Sequence, residues 1–193
     1  SLHDAFRSTK AAAMPAVTAD GAEMPTPASH VYLMDYNTGA VLLNKAGDEK
    51  MYPSSMTKMM TLYLVFEKLK QGTLSLDSQF TVSEKAWRIQ GSKMFVPLGE
   101  QIALEDLIRG IAIQSGNDAC VVVAEGIAGS ESAFANQMNE TATKLGMTGS
   151  HFTDASGFFG VTFRSARSLL VSRPTTLSTL SFEPSWKLRM ISS

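Results

Sequence analysis

Residues 54–71 constrain the fold most, because apolar side chains occupy nearly every side of the helix that this stretch predicts. Pro53 stands just before the first turn, where its missing N–H does no harm, and Gly72 follows as a stop. We expect this helix to be buried among others. Its apolar residues are Met56, Met59, Met60, Tyr63, Leu64, Phe66 and Leu69.

The composition fits one globular domain with a substantial core, since 44% of the 193 residues are hydrophobic and 18% are charged. A net charge of −1 gives no indication of a nucleic-acid partner. Cys120 is the single cysteine and lies in an apolar run, which excludes an internal disulfide and a cysteine-based metal cluster. The three histidines have no metal-ligand spacing, so we expect neither a metal nor another cofactor. No apolar run is long enough to span a membrane, so we expect no membrane anchor in this chain. No intact signal peptide is visible either.

Three segments differ in composition. Residues 1–25 are rich in alanine and proline without periodicity, which is typical of a mobile leader or linker. Residues 26–160 carry the periodic apolar patterns and form the predicted folded domain. Residues 161–193 hold five basic residues and one acidic residue among many serines and threonines, which is typical of a disordered basic tail.

The folded segment begins with strands and continues mostly as helices. Residues 30–36 and 40–44 predict a β-hairpin. Residues 80–82 predict a short strand, after which Ser83 is placed to cap a helix ending near Trp87. Three helices follow, over residues 104–114, 119–128 and 131–145, and Asn117 or Asp118 is placed to cap the second of them.

Two polar clusters stand out against this apolar background. Ser55 and Lys58 are three residues apart, so both project from one side of the first helical turn as a possible nucleophile and base. Read alone, the pair is better explained by a serine cap followed by a solvated lysine. Ser115 and Asn117 lie in a tight turn between two buried helices, and composition alone favours a helix stop followed by an Asn cap. If the helices pack compactly, both clusters meet at one site.

The order and spacing of these clusters resemble the serine D-alanyl-D-alanine carboxypeptidases, the low-molecular-mass penicillin-binding proteins, whose wider class carries Ser-x-x-Lys and Ser-x-Asn motifs. The resemblance covers about residues 25–158. It is carried by Thr26-Pro27-Ala28-Ser29, Met34-Asp35-Tyr36-Asn37-Thr38-Gly39, Ser55-Met56-Thr57-Lys58-Met59-Met60-Thr61, Gly91-Ser92-Lys93-Met94-Phe95, Leu107-Ile108-Arg109-Gly110, Gln114-Ser115-Gly116-Asn117-Asp118-Ala119-Cys120 and His151-Phe152-Thr153-Asp154-Ala155-Ser156-Gly157.

The resemblance implies an α/β (α+β) fold of the β-lactamase/transpeptidase type, with residues 26–160 as a partial catalytic domain. It implies that Ser55 attacks the terminal D-Ala-D-Ala of a peptidoglycan pentapeptide, and that β-lactam antibiotics acylate the same hydroxyl. Lys58 would accept the Ser55 proton, Ser115 would relay a proton to the leaving amine, and Asn117 would bind substrate. It also implies a periplasmic or cell-envelope location.

One family motif is missing. The chain contains no Lys-Thr-Gly, which in the family lies on a later strand that binds the substrate carboxylate and supplies an oxyanion donor. The helical part is therefore expected to be largely present and the C-terminal strands of the sheet to be missing, which leaves the hairpin poorly supported and the activity impaired. The change in composition near residue 160 suggests a frameshift, which the other reading frames downstream would test.

Two alternatives to a carboxypeptidase stay open. The first is a β-lactamase of the same fold, although residues 125–193 contain no convincing Glu-x-x-Leu-Asn pattern for deacylation. The second is a non-catalytic, truncated penicillin-binding relic.

Overall fold

The computed structural model describes residues 17–18, 26–35, 37–158 and 162–163. It combines helices and strands in an α+β arrangement. In chain order the elements are β1 (Val17–Thr18), β2 (Val31–Met34), β3 (Val41–Lys45), a 3-10 turn (Ser54–Thr57), α1 (Lys58–Lys70), β4 (Gln79–Thr81), α2 (Glu84–Arg88), β5 (Gln101–Ala103), α3 (Leu104–Gln114), α4 (Asn117–Ala128), α5 (Glu131–Lys144), β6 (Ser150–His151) and β7 (Thr162–Phe163).

The predicted hairpin is confirmed as β2 and β3, which pair antiparallel. A third strand, β1, pairs with the other edge of β3 through Val17 opposite Asn44 and Thr18 opposite Leu43. β1 lies within the stretch predicted as a linker, and the other residues of 1–25 lie outside the described part of the chain. Likewise, β7 pairs with β6, while residues 164–193 of the predicted tail lie outside the described part.

The three consecutive helices form where their periodicity predicts, as α3, α4 and α5. Ser130 caps α5 as its Oγ accepts a hydrogen bond from Ala133 N at 3.1 Å, and Ser83 caps α2 in the same way at 3.0 Å. The predicted side-chain cap of α4 is wrong, because Gly116 occupies the N-cap position without a side-chain bond. The Asp118 carboxylate instead accepts hydrogen bonds from the backbone N–H groups of residues 94–96.

One buried apolar cluster joins the helices with β4 and the loops between them. α4 is its centre, since residues 119–124 are all fully buried. The expected complete burial of the first helix is only partly met. Met60, Leu64 and Val65 of α1 are buried, whereas Met59 is 59% exposed and Met56 of the preceding turn is 41% exposed. These two methionines lie on the side of the helix that no described element covers.

No described helix combines the length and the apolar character needed to cross a membrane.

Candidate active site

Ser55 and Lys58 lie together at the beginning of α1. Ser55 sits in the 3-10 turn and is exposed, while Lys58 begins the helix and is only 4% exposed. Lys58 Nζ is 3.1 Å from Ser55 Oγ, within hydrogen-bond distance. The arrangement places an accessible hydroxyl next to a buried amine, which is the geometry of a nucleophile with its base.

The residue before Ser55 has an unusual backbone. Ser54 has φ +49°, a left-handed conformation that is uncommon for a residue with a Cβ. Pro53 precedes it and is buried, so the chain enters the turn in a fixed position. Backbone strain of this kind persists only where the surrounding structure enforces it, and it often occurs at functional sites.

Burial lowers the pKa of Lys58, because an ammonium loses hydration in the interior, and the negative charge of Asp154 partly opposes this shift. Cys120 lies close by in α4, and burial raises the pKa of its thiol to about 12. The thiol is therefore neutral at ordinary pH and contributes no charge beside Lys58. A lowered lysine pKa favours the neutral amine, which is the form that accepts a proton.

A buried turn formed by residues 154–157 covers the inner side of Lys58. Lys58 Nζ donates a hydrogen bond to the Ser156 carbonyl at 3.0 Å, and Thr61 Oγ1 donates to the Ala155 carbonyl at 2.6 Å. Gly157 has φ +78°, and a Cβ added there would collide with the Ser54 carbonyl oxygen. The 154–157 turn thus packs directly on the turn that carries the candidate nucleophile.

Ser115 and Asn117 lie at the junction of α3 and α4. Ser115 has φ +56°, and its buried Oγ has no hydrogen-bond partner. Asn117 Nδ2 donates to the Gln90 carbonyl at 2.8 Å, and its backbone N–H donates to the Ser92 carbonyl at 2.7 Å. No hydrogen bond therefore joins Ser115 to Ser55 or Lys58, and an unpaired buried hydroxyl remains able to serve a bound molecule.

Asp118 fixes the backbone of residues 94–96, beside the junction of α3 and α4. Its two carboxylate oxygens accept hydrogen bonds from the backbone N–H groups of Met94, Phe95 and Val96, at 2.8 to 3.2 Å. Phe95 has φ +63° and is 82% exposed, so its ring projects into solvent from a backbone held at three points. The carbonyls that Asn117 contacts, those of Gln90 and Ser92, lie just before this segment in the chain.

The four residues predicted from the sequence thus occupy two places, with Ser55 and Lys58 in direct contact and Ser115 and Asn117 at the helix junction. The sequence predicts only a possible helix cap for Asp118 and no role for Asp154 or Glu131. These carboxylates bond to the backbone of residues 94–96 and 155–157. Both segments overlap the family stretches 91–95 and 151–157, and this overlap was the one indication of their importance in the sequence. Among the described residues, no group of three or more His, Cys, Asp and Glu is placed to hold a metal.

The family described as D-alanyl-D-alanine carboxypeptidase, Peptidase S11, matches residues 16–176. The chain belongs to this family. The matched range begins before residue 26 and continues beyond residue 160, so the predicted domain boundaries at those positions both fall inside it and stay predictions.

Two curated relatives illustrate the similarity. The D-alanyl-D-alanine carboxypeptidase DacF of Bacillus subtilis is 39% identical over 135 residues, which cover 70% of this chain and 35% of that protein. DacC of Escherichia coli is 43% identical over 131 residues, which cover 65% of this chain and 33% of that protein. The chain thus spans about a third of the length of the curated relatives it matches.

Solved structures agree with the fold. The D-alanyl-D-alanine carboxypeptidase DacD from Francisella tularensis has a TM-score of 0.75 at 33% identity, covering 88% of this chain and 40% of that one. Penicillin binding protein 5 from Haemophilus influenzae has a TM-score of 0.69 at 37% identity, covering 77% of this chain and 46% of that one. The predicted family and the predicted transpeptidase-like α+β fold are therefore confirmed.

Proposed function

We propose that this chain carries the nucleophile half of a serine D-alanyl-D-alanine carboxypeptidase site, with Ser55 as the acylated residue. The observation that carries the proposal is the 3.1 Å approach of the buried Lys58 Nζ to the exposed Ser55 Oγ. The names of the B. subtilis and E. coli relatives support the substrate class, a peptide ending in D-Ala-D-Ala. For the whole protein, we propose a peptidoglycan stem peptide as the substrate and the cell envelope as the site of action.

The contact between Lys58 Nζ and Ser55 Oγ supports the following reaction. Ser55 Oγ attacks the carbonyl carbon of the penultimate D-Ala as its proton passes to the neutral Lys58 amine. The new Oγ–C bond forms, the C–N bond to the terminal D-Ala breaks, and the leaving amine takes up a proton. Water then hydrolyses the ester and restores the Ser55 hydroxyl.

Ser115 and Asn117 serve this reaction from the helix junction. Ser115 Oγ, which is buried without a partner, relays the proton to the leaving amine. Asn117 binds the substrate amide through its side-chain carbonyl oxygen, since its Nδ2 already donates to Gln90. A β-lactam ring presents a strained amide at the same position, so β-lactam antibiotics acylate Ser55 as well.

The 193-residue sequence contains no Lys-Thr-Gly, so one oxyanion donor and the carboxylate-binding group are not supplied by this chain. Loss of a single oxyanion donor typically lowers a rate by about a hundredfold or more. We therefore expect slow acylation and impaired peptidase activity when the chain is assayed alone.

The test is covalent labelling of the purified chain by a fluorescent penicillin, followed over hours because acylation is slow. We expect an adduct on a peptide that contains Ser55. Ser55→Ala should abolish it, and Ser54→Ala is the matched control because it alters the neighbouring hydroxyl and should still be labelled. Labelling that persists in Ser55→Ala contradicts the nucleophile assignment.

The fate of the adduct separates the alternatives. A persistent adduct supports the carboxypeptidase, and steady hydrolysis of the penicillin with little accumulated adduct supports a β-lactamase. Complete absence of labelling at saturating penicillin favours a non-catalytic, penicillin-binding relic.

A further inference from the structure

The buried carboxylate of Asp154 organises the 154–157 turn. Asp154 Oδ1 accepts hydrogen bonds from Ser156 N at 2.7 Å, Gly157 N at 2.6 Å and Ser156 Oγ at 2.9 Å. Asp154 is 3% exposed and Ser156 is 1% exposed, so water does not compete for these bonds. Hydrogen bonds to an ionised acceptor are about twice as strong as neutral ones, and three of them on one oxygen define the turn closely.

With the N–H groups of Ser156 and Gly157 held by Asp154, the turn directs its carbonyl groups toward α1. The Ser156 carbonyl accepts from Lys58 Nζ, and the Ala155 carbonyl accepts from Thr61 Oγ1. Lys58 and Thr61 are three residues apart on the same face of the helix, so the turn contacts α1 at two successive points. The position of the Lys58 amine therefore depends on the shape of this turn.

A neutral lysine amine has two N–H donors and one lone pair. When one N–H is donated to the Ser156 carbonyl, rotation about the Cε–Nζ bond is restricted and the lone pair can be directed at the Ser55 hydroxyl. The 3.0 Å and 3.1 Å contacts of Nζ with Ser156 O and Ser55 Oγ satisfy both requirements. Loss of this alignment costs rate because a displacement of about 1 Å can slow a reaction by about a hundredfold.

We propose that Asp154 is a positioning residue for Lys58, whose amine it aligns on Ser55 by shaping the 154–157 turn. This inference rests on the proposed role of Lys58 as the base. It goes further in assigning the orientation of that base to a buried carboxylate 96 positions later in the chain, which shapes the turn whose Ser156 carbonyl accepts from Lys58.

The charge of Asp154 acts on Lys58 as well. The groups that face Lys58 are the Ser55 hydroxyl, the Cys120 thiol of α4 and the Asp154 carboxylate. The charges of Asp118 and Glu131 act on the Cys120 thiol, where they add to the effect of burial and raise its pKa. Because the thiol is neutral at ordinary pH, Asp154 is the charged group that favours the Lys58 ammonium. Removal of that charge should therefore lower the pKa of Lys58 further below its usual range.

Asp154→Asn separates charge from geometry, because the amide Oδ1 can still accept the three hydrogen bonds. Asp154→Ala removes both. Glu131→Gln is the matched control, since Glu131 of α5 is also a buried carboxylate that contacts this turn. It accepts a hydrogen bond from Ala155 N at 3.2 Å. Its charge is compensated by Lys85 at 2.7 Å and does not act directly on Lys58.

The first measurement is independent of activity. In the full chain labelled with ¹³C-lysine, the Cε signal of Lys58, assigned by its loss in Lys58→Arg, is titrated by NMR. We expect its midpoint to move to lower pH in Asp154→Asn and to stay unchanged in Glu131→Gln. An unchanged midpoint in Asp154→Asn, or an equal shift in both variants, shows that the Asp154 charge does not act on Lys58. An unchanged Cε signal and midpoint in Asp154→Ala, which loses the hydrogen bonds that shape the turn as well as the charge, overturns the proposal.

The second measurement is the rate of Ser55 labelling by a fluorescent penicillin as a function of pH. We expect Asp154→Asn to keep the high-pH rate within about threefold while its acidic limb moves to lower pH, and Asp154→Ala to lose about a hundredfold at every pH. Wild-type labelling by Asp154→Ala overturns the proposal. If the wild-type chain is not labelled at all, the proposed function fails, and the Lys58 NMR signal of Asp154→Ala still decides whether Asp154 positions the amine.

Discussion

At the scale of single residues, burial gives Lys58 and Cys120 opposite properties although they lie side by side. Burial disfavours the charged form of both, so the amine becomes easier to deprotonate and the thiol becomes harder to deprotonate. The consequence is that a neutral amine and a neutral thiol are favoured beside the Ser55 hydroxyl. It also means that Cys120 is an inert packing residue in α4, because only the thiolate is a strong nucleophile.

The raised pKa of Cys120 predicts a loss of stability at alkaline pH. The thiol titrates near 9.0 when unperturbed and near 12 in the fold. Below pH 9 both the folded and the unfolded chain keep the thiol proton, so the free energy of unfolding does not change with pH through this group. Between these values only the unfolded chain releases it, so the free energy of unfolding should fall by up to about 1.4 kcal/mol per pH unit.

Urea unfolding from pH 8 to pH 11 measures this fall, and Cys120→Ala is the comparison because it lacks the titrating group. We expect the difference in unfolding free energy between wild type and variant to shrink steadily above pH 9. A difference that stays constant over this range would show that the thiol titrates alike in both states.

At the scale of elements, the helices could be predicted from the sequence because their information is local. The apolar residues that predict α3 all lie inside that helix, and Ser130, which predicts the start of α5, directly precedes its first residue. The contact between Lys58 and the Ser156 carbonyl joins residues 98 positions apart, and no local pattern encodes it. The exposure of Met59 was missed for the same reason, since it depends on which faces of α1 other elements cover.

The packing of the 154–157 turn on the 3-10 turn predicts a large effect of Gly157→Ala. The variant meets two costs, a left-handed φ of +78° and a collision with the Ser54 carbonyl oxygen. Gly129→Ala is the matched control, because Gly129 has φ +79° and open space around its Cα. We expect Gly129→Ala to lose only about 1 kcal/mol of stability.

We expect Gly157→Ala to lose about 2–3 kcal/mol or more, because the backbone of one of the two turns must also move. Its labelling by penicillin should fall as well, while that of Gly129→Ala should not. Thermal unfolding and labelling of both variants check this, and equal losses of stability would show that the turns do not press on each other.

At the scale of the whole molecule, the structure divides into a helical core and a small sheet. The buried apolar cluster runs from Met60 to Ala155 and includes none of the residues of β2 and β3. Leu43 of β3 is buried outside this cluster, while Leu33, Val41 and Leu42 are exposed. Sheets of two or three short strands are marginally stable unless they pack on other elements. The sheet should therefore open at a lower free energy than the helices.

Hydrogen exchange on the folded chain tests this division. We expect the amides of β2 and β3 to exchange through openings that leave α4 protected, because few buried apolar contacts oppose those openings. Leu43→Ala should speed exchange in the strands alone. Val122→Ala, in the centre of α4, should lower protection throughout the helical core by about 2 kcal/mol. If both variants speed exchange equally in strands and helices, the sheet and the core unfold as a single cooperative unit.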